Sequence, residues 1–326
     1  MNLPDEIIAI IFMYSFDYFK KIYRLRFINK QFYRVSKQPH IFKYVSVNPL
    51  ADAADYFSRS LIKLHKLYPH IQKVHAINTV CDHNFVDSLS LFIKLKEILV
   101  CNISDEISQY IAQKLKLEEI CLFSSRVTNI NFILANKYLH SIDLSFCDRL
   151  ITDSNLKTIL EDKRIKKFNL SQNTGAGACN IFKYIANSHL TELYLSYVKF
   201  NNNAPISDFE SLQHNKTLTN ITIIACYDLT DDIIVNLSKI KTLKKLDLGN
   251  SKKATDKSIR QIACNYNIKN LTIYCFDNIT YQNGLKYLKN NKNLQKLKVT
   301  RCNKIDKYDI YELQNNHKNL LIKFDS

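Results

Sequence analysis

Leu139-His140-Ser141-Ile142-Asp143-Leu144-Ser145-Phe146-Cys147-Asp148-Arg149-Leu150, followed by Ile151-Thr152-Asp153, carries the pattern that decides the fold. Ile142 and Leu144 flank one polar residue, the two-residue period of a short strand with one buried face. Cys147 then turns the chain, and Thr152 is a residue type that caps a helix, here one with apolar positions over Ser154–Leu160. The frame returns as Leu218, Ile221, Ile223, Cys226, Leu229 with Thr230-Asp231, and as Leu243, Leu246, Leu248, Ser251, Ala254 with Thr255-Asp256. It returns again as Ile268, Leu271, Ile273, Phe276, Ile279 with Thr280, and as Leu294, Leu297, Val299, Cys302, Ile305 with Asp306. Weaker copies start at Ile71, Leu95, Leu117, Ile165 and Leu190. From Ile71 to Leu320 successive first positions are 24, 22, 22, 26, 25, 28, 25, 25, 26 and 26 residues apart. One strand and one helix cannot bury both of their apolar faces alone, so such units must stack on their neighbours.

Composition narrows what the array can do. The chain has 326 residues, and 46% hydrophobic content excludes wholesale disorder. Four glycines and five prolines exclude collagen-like and Pro-rich organisation. Gly175-Ala176-Gly177 lacks the Lys-Ser/Thr of a phosphate-binding loop and reads as a turn. Nine cysteines without a C-x-x-C pair give no zinc-site spacing, and no Cys–His signature of a nucleophile is present. Cys at the ninth frame position is a small buried thiol, and Cys264 belongs to a helical part. No metal and no cofactor is expected. The apolar run Met1–Phe16 opens on Asp5 and Glu6 and is closed by Asp17 and Lys20, short of a membrane span and unlike a secretion signal. A cytoplasmic or nuclear protein, or one in the host cell if viral, is therefore expected, with reduced thiols, no membrane contact and no secretion.

The period and the Leu-x-x-Leu-x-Leu-x-x-Cys frame resemble the cysteine-containing subclass of leucine-rich repeats over residues 67–326. The resemblance implies an α/β horseshoe solenoid of about ten strand–helix units. Residues before 48 follow another pattern. Leu3-Pro4-Asp5-Glu6-Ile7, Ile11-Phe12, a stripe of Ile22, Leu25 and Ile28, then Lys30, Phe32 and Ile41-Phe42 resemble the F-box, with Asn29 in place of its Cys and Phe in place of both Trp. The implied organisation is a three-helix F-box over 1–48, a linker helix over 49–66 and the repeat domain over 67–326. An F-box ahead of cysteine-type repeats is similar to the substrate receptors of SCF-type ubiquitin ligases. That resemblance implies a Skp-type adaptor on Leu3, Pro4, Ile7, Ile22, Leu25, Phe32, Ile41 and Phe42, a cullin scaffold beyond it, and no catalytic residue in this chain.

In a stacked array the residues alternating with the buried leucines face outward. One such ladder includes Leu99, Cys121 and Tyr194, and the next includes Phe123 and Tyr274, with Phe146 and Tyr197 at the rim. These seven are the candidate surface for a target protein, centred on Phe123 and Tyr194; a covering by the N-terminal segment is the other use of the early patch. The formal charge of +16 opens a second class of function. Residues 237–326 hold 19 Lys+Arg against 7 Asp+Glu, while residues 49–236 hold 19 against 20. A basic solenoid holding nucleic acid or acidic protein surfaces through Lys296, Lys298, Arg301 and Lys304 is the alternative, and a decoy of the ubiquitin machinery a third. The absence of regular aromatic interleaving ranks nucleic acid below a protein target. Asn201-Asn202-Asn203-Ala204-Pro205 reads as a surface loop.

Overall fold

The computed structural model describes residues 34–35, 38, 44–47, 54–77, 79–175, 181–199 and 206–325. The eight expected adaptor contacts, Leu3, Pro4, Ile7, Ile22, Leu25, Phe32, Ile41 and Phe42, lie outside the described residues, as do Ala176-Gly177 and the Asn201–Pro205 loop. The chain divides at Cys147/Asp148 into two compact units. In the first, strands β1 (Tyr44–Val47), β2 (Lys73–Ala76), β3 (Glu97–Cys101), β4 (Glu119–Phe123) and β5 (Ser141–Asp143) pair in chain order, all parallel. Helices α1 (Ala54–Leu67), α2 (His83–Ser90), α3 (Asp105–Lys114) and α4 (Asn131–Ala135) connect them. β1 and α1 thus carry the strand–helix pattern back to Tyr44, into the stretches assigned from the sequence to the docking module and the linker.

The second unit repeats the scheme with β6 (Lys167–Asn169), β7 (Glu192–Tyr194), β8 (Asn220–Ile224), β9 (Lys245–Gly249), β10 (Asn270–Tyr274), β11 (Lys296–Thr300) and β12 (Leu321–Asp325). Again every neighbouring pair is parallel. Its connections include α5 (Asp153–Glu161), α6 (Ile181–Asn187), α7 (Ile206–Glu210), α8 (Asp231–Ser238), α9 (Asp256–Ala263) and α10 (Lys307–Asn316). Between β10 and β11 the connection is a 3-10 helix, Leu285–Asn290, where the frame predicts an α-helix. The expected α/β repeat architecture is therefore what the described chain adopts.

The frame is a burial code. All five apolar positions of the five well-matched copies are at most 5% exposed, from Leu139 through Ile305. Each such aliphatic side chain contributes about 1.5–3 kcal/mol relative to exposure. Cys147 and Cys226 add a hydrogen bond, donating Sγ–H to the carbonyls of Leu122 and Leu195 in the preceding repeat, each at 2.7 Å. Burial pushes the Cys226 thiol up to about 12, so it remains the S–H donor this contact needs. At the same place Ser251 donates to Leu229 O at 2.6 Å and Phe276 fills the volume with a fully buried ring.

The residue just before that position is left-handed in copy after copy. Asn102, Ser124, Phe146, Gln172, Tyr197, Ala225, Asn250, Cys275 and Arg301 have φ between 50° and 66°, and none of them is glycine. A left-handed non-glycine residue costs of order 1–3 kcal/mol and persists only where its surroundings hold it. Here the holding contact is a backbone ladder. The N–H groups of Gln172, Tyr197, Ala225, Asn250, Cys275 and Arg301 each donate to a carbonyl of the next repeat, at 2.6–2.9 Å. Ser124 makes the same bond to Ser145 at 3.0 Å in the first unit.

A second ladder links helix starts. Asp105 accepts from Thr128 N at 2.8 Å and Thr128 Oγ1 at 2.6 Å, one repeat on. Asp231 accepts from Thr255 N at 2.8 Å, Thr255 Oγ1 at 2.6 Å and the hydroxyl of Ser258. Asp256 does likewise for Thr280, at 2.7 and 2.9 Å. Thr255 shows both uses of its hydroxyl: it accepts from Lys257 N in its own repeat and donates to Asp231 of the one before, while Asp256 beside it ties its repeat to the next.

Candidate interaction surface on the sheet

In the first unit the outward ladder His75–Leu99–Cys121–Asp143 is in register across β2 to β5. Its neighbour pairs Cys101 with Phe123. Glu97 anchors the polar end of this face: its carboxylate meets Lys73 Nζ, and His75 Nε2 at 3.0 Å. The His75 hydrogen bond, outweighing burial and aided by Lys73, holds the Glu97 carboxyl down at about 2, from an ordinary 4.5. The other end is apolar. Phe123 and Phe146, 39% and 45% exposed, meet edge to face with centroids 4.9 Å apart at 66°. Leu99 and Cys121 are half-buried beside them, and Cys101 is buried. Exposed aromatics already packed on each other present area without losing much side-chain freedom on binding, which suits an anchor for a partner.

In the second unit Tyr194 is half-buried, and its Oη donates to Glu192 Oε2 at 2.9 Å. Burial, then this carboxylate, pushes the phenol up to about 12, so it stays a donor. Lys167 approaches the same glutamate at 3.6 Å. Tyr197 is exposed in its left-handed turn, and Tyr227 is exposed just after Cys226. Tyr227 was not among the residues expected from the sequence. It lies outside the strand alternation, and the signal that could have found it is an aromatic one place past the frame's Cys. Tyr274 is half-buried and accepts a hydrogen bond from an Arg301 guanidinium N–H at 3.3 Å. Gly249 makes room for it: a Cβ there would sit 3.0 Å from Tyr274 Cβ on the paired strand. Further along, Lys298 pairs in register with Lys323, and Lys296, Lys298, Arg301 and Lys304 are all exposed. Phe123 and Phe146 thus belong to the first unit, and Tyr194, Tyr197 and Tyr274 to the second.

The carboxylates give the fold a pH signature. Burial raises the Asp105 and Asp231 carboxyls, but the hydrogen bonds from Thr128 and Asn129, and from Ser258 and Thr255, outweigh it and hold both below their ordinary value. A depressed folded-state pKa contributes stability that is full above the unfolded value and lost as pH falls through the folded one. Urea midpoints are therefore expected to hold from pH 7 to about 5 and fall steadily between pH 4.5 and 2. Glu97→Gln removes about 1–2 kcal/mol of that drop after solvent screening.

Among the described residues no group of three or more His, Cys, Asp or Glu side chains is placed to hold a metal, and no helix is long and apolar enough to cross a membrane. No protein-family profile and no curated protein matches the sequence. Solved structures do. The chain is similar to an internalin of Listeria monocytogenes at 13% identity and TM-score 0.52, over 90% of this chain and 76% of that one. It is similar to Rad7 of yeast, solved in complex with Elc1, at 15% identity and TM-score 0.52, over 98% and 89% of the two chains. TLR13, solved in complex with ssRNA13, gives 15% identity and TM-score 0.50 over 79% of this chain and 39% of its own. What these matches share with the described residues is the fold, and that fold is the leucine-rich repeat.

Proposed function

We propose that this chain is a non-catalytic substrate-recognition subunit of an SCF-type ubiquitin ligase. Its N-terminal segment docks a Skp-type adaptor, the adaptor joins the cullin scaffold, and the sheet face holds a target protein. The observation that carries the target-binding half is the exposed Phe123–Phe146 pair at the end of a face whose other side chains are mostly half-buried or ion-paired. The adaptor half is supported by the F-box pattern over Leu3–Phe42. That Rad7, similar in fold over nearly its whole length, was captured with a second protein supports the use of such repeats in protein assembly. The chemistry belongs to a recruited ubiquitin-conjugating enzyme, and holding its target close supplies the acceleration.

Co-precipitation with a Skp-type adaptor tests the adaptor half. The intact chain is expected to be retained, and Leu3→Ala/Pro4→Ala and Phe32→Ala variants to be lost. An intact chain that binds no such adaptor would overturn it. For the target half, Phe123→Asp is expected to weaken target capture about 30-fold or more, the cost of removing a hot-spot aromatic. Unchanged capture by Phe123→Asp and by Tyr194→Ala would remove the sheet face as the target site. In a reconstituted ligase, adaptor binding without transfer of ubiquitin to a captured target would identify a decoy instead.

A further inference from the structure

A groove of about 640 Å³ runs across four consecutive repeats of the second unit, at the N-terminal side of strands β8 to β11. Its walls are equivalent positions of the repeat frame. Two residues before the first apolar position stand Lys216, Lys241, Tyr266 and Lys292; one residue after it stand Thr219, Lys244, Lys269 and Gln295. The row between them holds the wall together. Thr217 Oγ1 donates to Leu190 O and Thr242 Oγ1 to Leu218 O, both at 2.8 Å, and Asn293 Nδ2 donates to Tyr266 O at 2.9 Å. No carboxylate lines the groove. All five lysines are exposed, and none is ion-paired among the described residues. Lysines elsewhere in the unit do have acids: Lys167 with Glu192, Lys245 with Asp247, Lys253 with Asp228 and Lys257 with Asp232.

We infer that this groove binds an acidic polypeptide segment, and, given the receptor role proposed above, that the segment belongs to the target. Lys244 and Lys269 each stand one residue before the adjacent strands β9 and β10, about 4.8 Å apart at the backbone, so their charges repel until an anion lies between them. Four repeats at that pitch span roughly 15 Å, the length of four or five extended residues. Single-stranded nucleic acid fits less well. It uses a run of aromatic platforms for successive bases, and Tyr266 is the only ring on these walls.

Fluorescence anisotropy with the full chain tests the inference, using a labelled twelve-residue Asp/Glu-rich peptide and a twelve-nucleotide oligothymidine as probes. The peptide is expected to bind with strong salt dependence, and Lys241→Glu/Lys269→Glu/Lys292→Glu to weaken it about 30-fold or more. The charge-matched control Lys252→Glu/Lys286→Glu/Lys307→Glu, on the connections of the same unit and outside the groove lining, is expected to change it less than about threefold. Circular dichroism confirms that both triples remain folded. Equal losses from the two triples, preference for oligothymidine, or no peptide binding at low salt would each overturn the groove assignment. The titration contains no adaptor, so its failure and a failure of adaptor capture are read separately.

Discussion

Asp231→Ala is expected to lower the free energy of unfolding by about 3 kcal/mol, while Asp232→Ala, one residue along, changes it by about 0.5 kcal/mol or less. The two carboxylates differ in what they hold. Asp231 accepts two hydrogen bonds from Thr255 and one from Ser258, so its removal strands a backbone N–H and two hydroxyls between repeats. Hydrogen bonds to a charged acceptor are worth about 1.5–3 kcal/mol each, and partial access of water limits the sum. Asp232 meets Lys257 at 3.2 Å, with side chains 65% and 58% exposed, an ion pair of the kind that contributes little. Urea titrations followed by circular dichroism at pH 7 decide the matter. Equal effects of the two substitutions would show that the inter-repeat ladder does not stabilise the array.

Phe276→Ala carries the other large effect, a loss of about 3–5 kcal/mol. Phe276 is completely buried where other copies hold Cys147, Cys226 or Cys302. Restoring the frame's own residue is not expected to rescue it. Phe276→Cys leaves most of the same cavity, because the neighbours are packed around a ring, and costs about 2–4 kcal/mol. A repeat array couples each unit only to its neighbours, so both variants are also expected to reduce the urea m-value as the repeats around β10 melt first. A Phe276→Cys protein as stable as the parent would mean that the hydrogen bond to the preceding repeat, rather than volume, governs this site.

The strands were legible because their signal is binary and repeated. Ile142/Leu144, Ile221/Ile223, Leu246/Leu248, Leu271/Ile273 and Leu297/Val299 all recur at one spacing, and all are buried. Helix starts were legible too: Thr152 and Thr255 cap α5 and α9 by accepting from Asn155 N and Lys257 N. The aspartates that bridge repeats were not. Asp105, Asp231 and Asp256 each bond a threonine 23 or 24 residues on, and adjacency in sequence suggested a local role for them. The left-handed positions were invisible for a related reason. Glycine is the usual marker of positive φ, and at seven of these positions, from Ser124 to Arg301, a backbone bond to the next repeat holds the conformation and leaves no residue type behind. On the candidate surface, alternation placed Leu99, Cys121 and Phe123 on one face, yet the ring contact of Phe123 with Phe146 joins a strand to a turn. The lysine groove was hidden inside a total. A net charge along a segment says nothing about which lysines are neutralised by a neighbour.

The left-handed ladder has an evolutionary consequence. Its bonds run from backbone to backbone, so the side chain there answers to few structural demands beyond avoiding proline and branching at Cβ. The occupants include Asn, Ser, Phe, Gln, Tyr, Ala, Cys and Arg. Several of them, Phe146, Tyr197 and Arg301 among them, stand exposed at the end of a strand. Selection can rewrite such positions one at a time while the scaffold stays folded, and a lineage could exchange one binding partner for another through point changes at these turns alone.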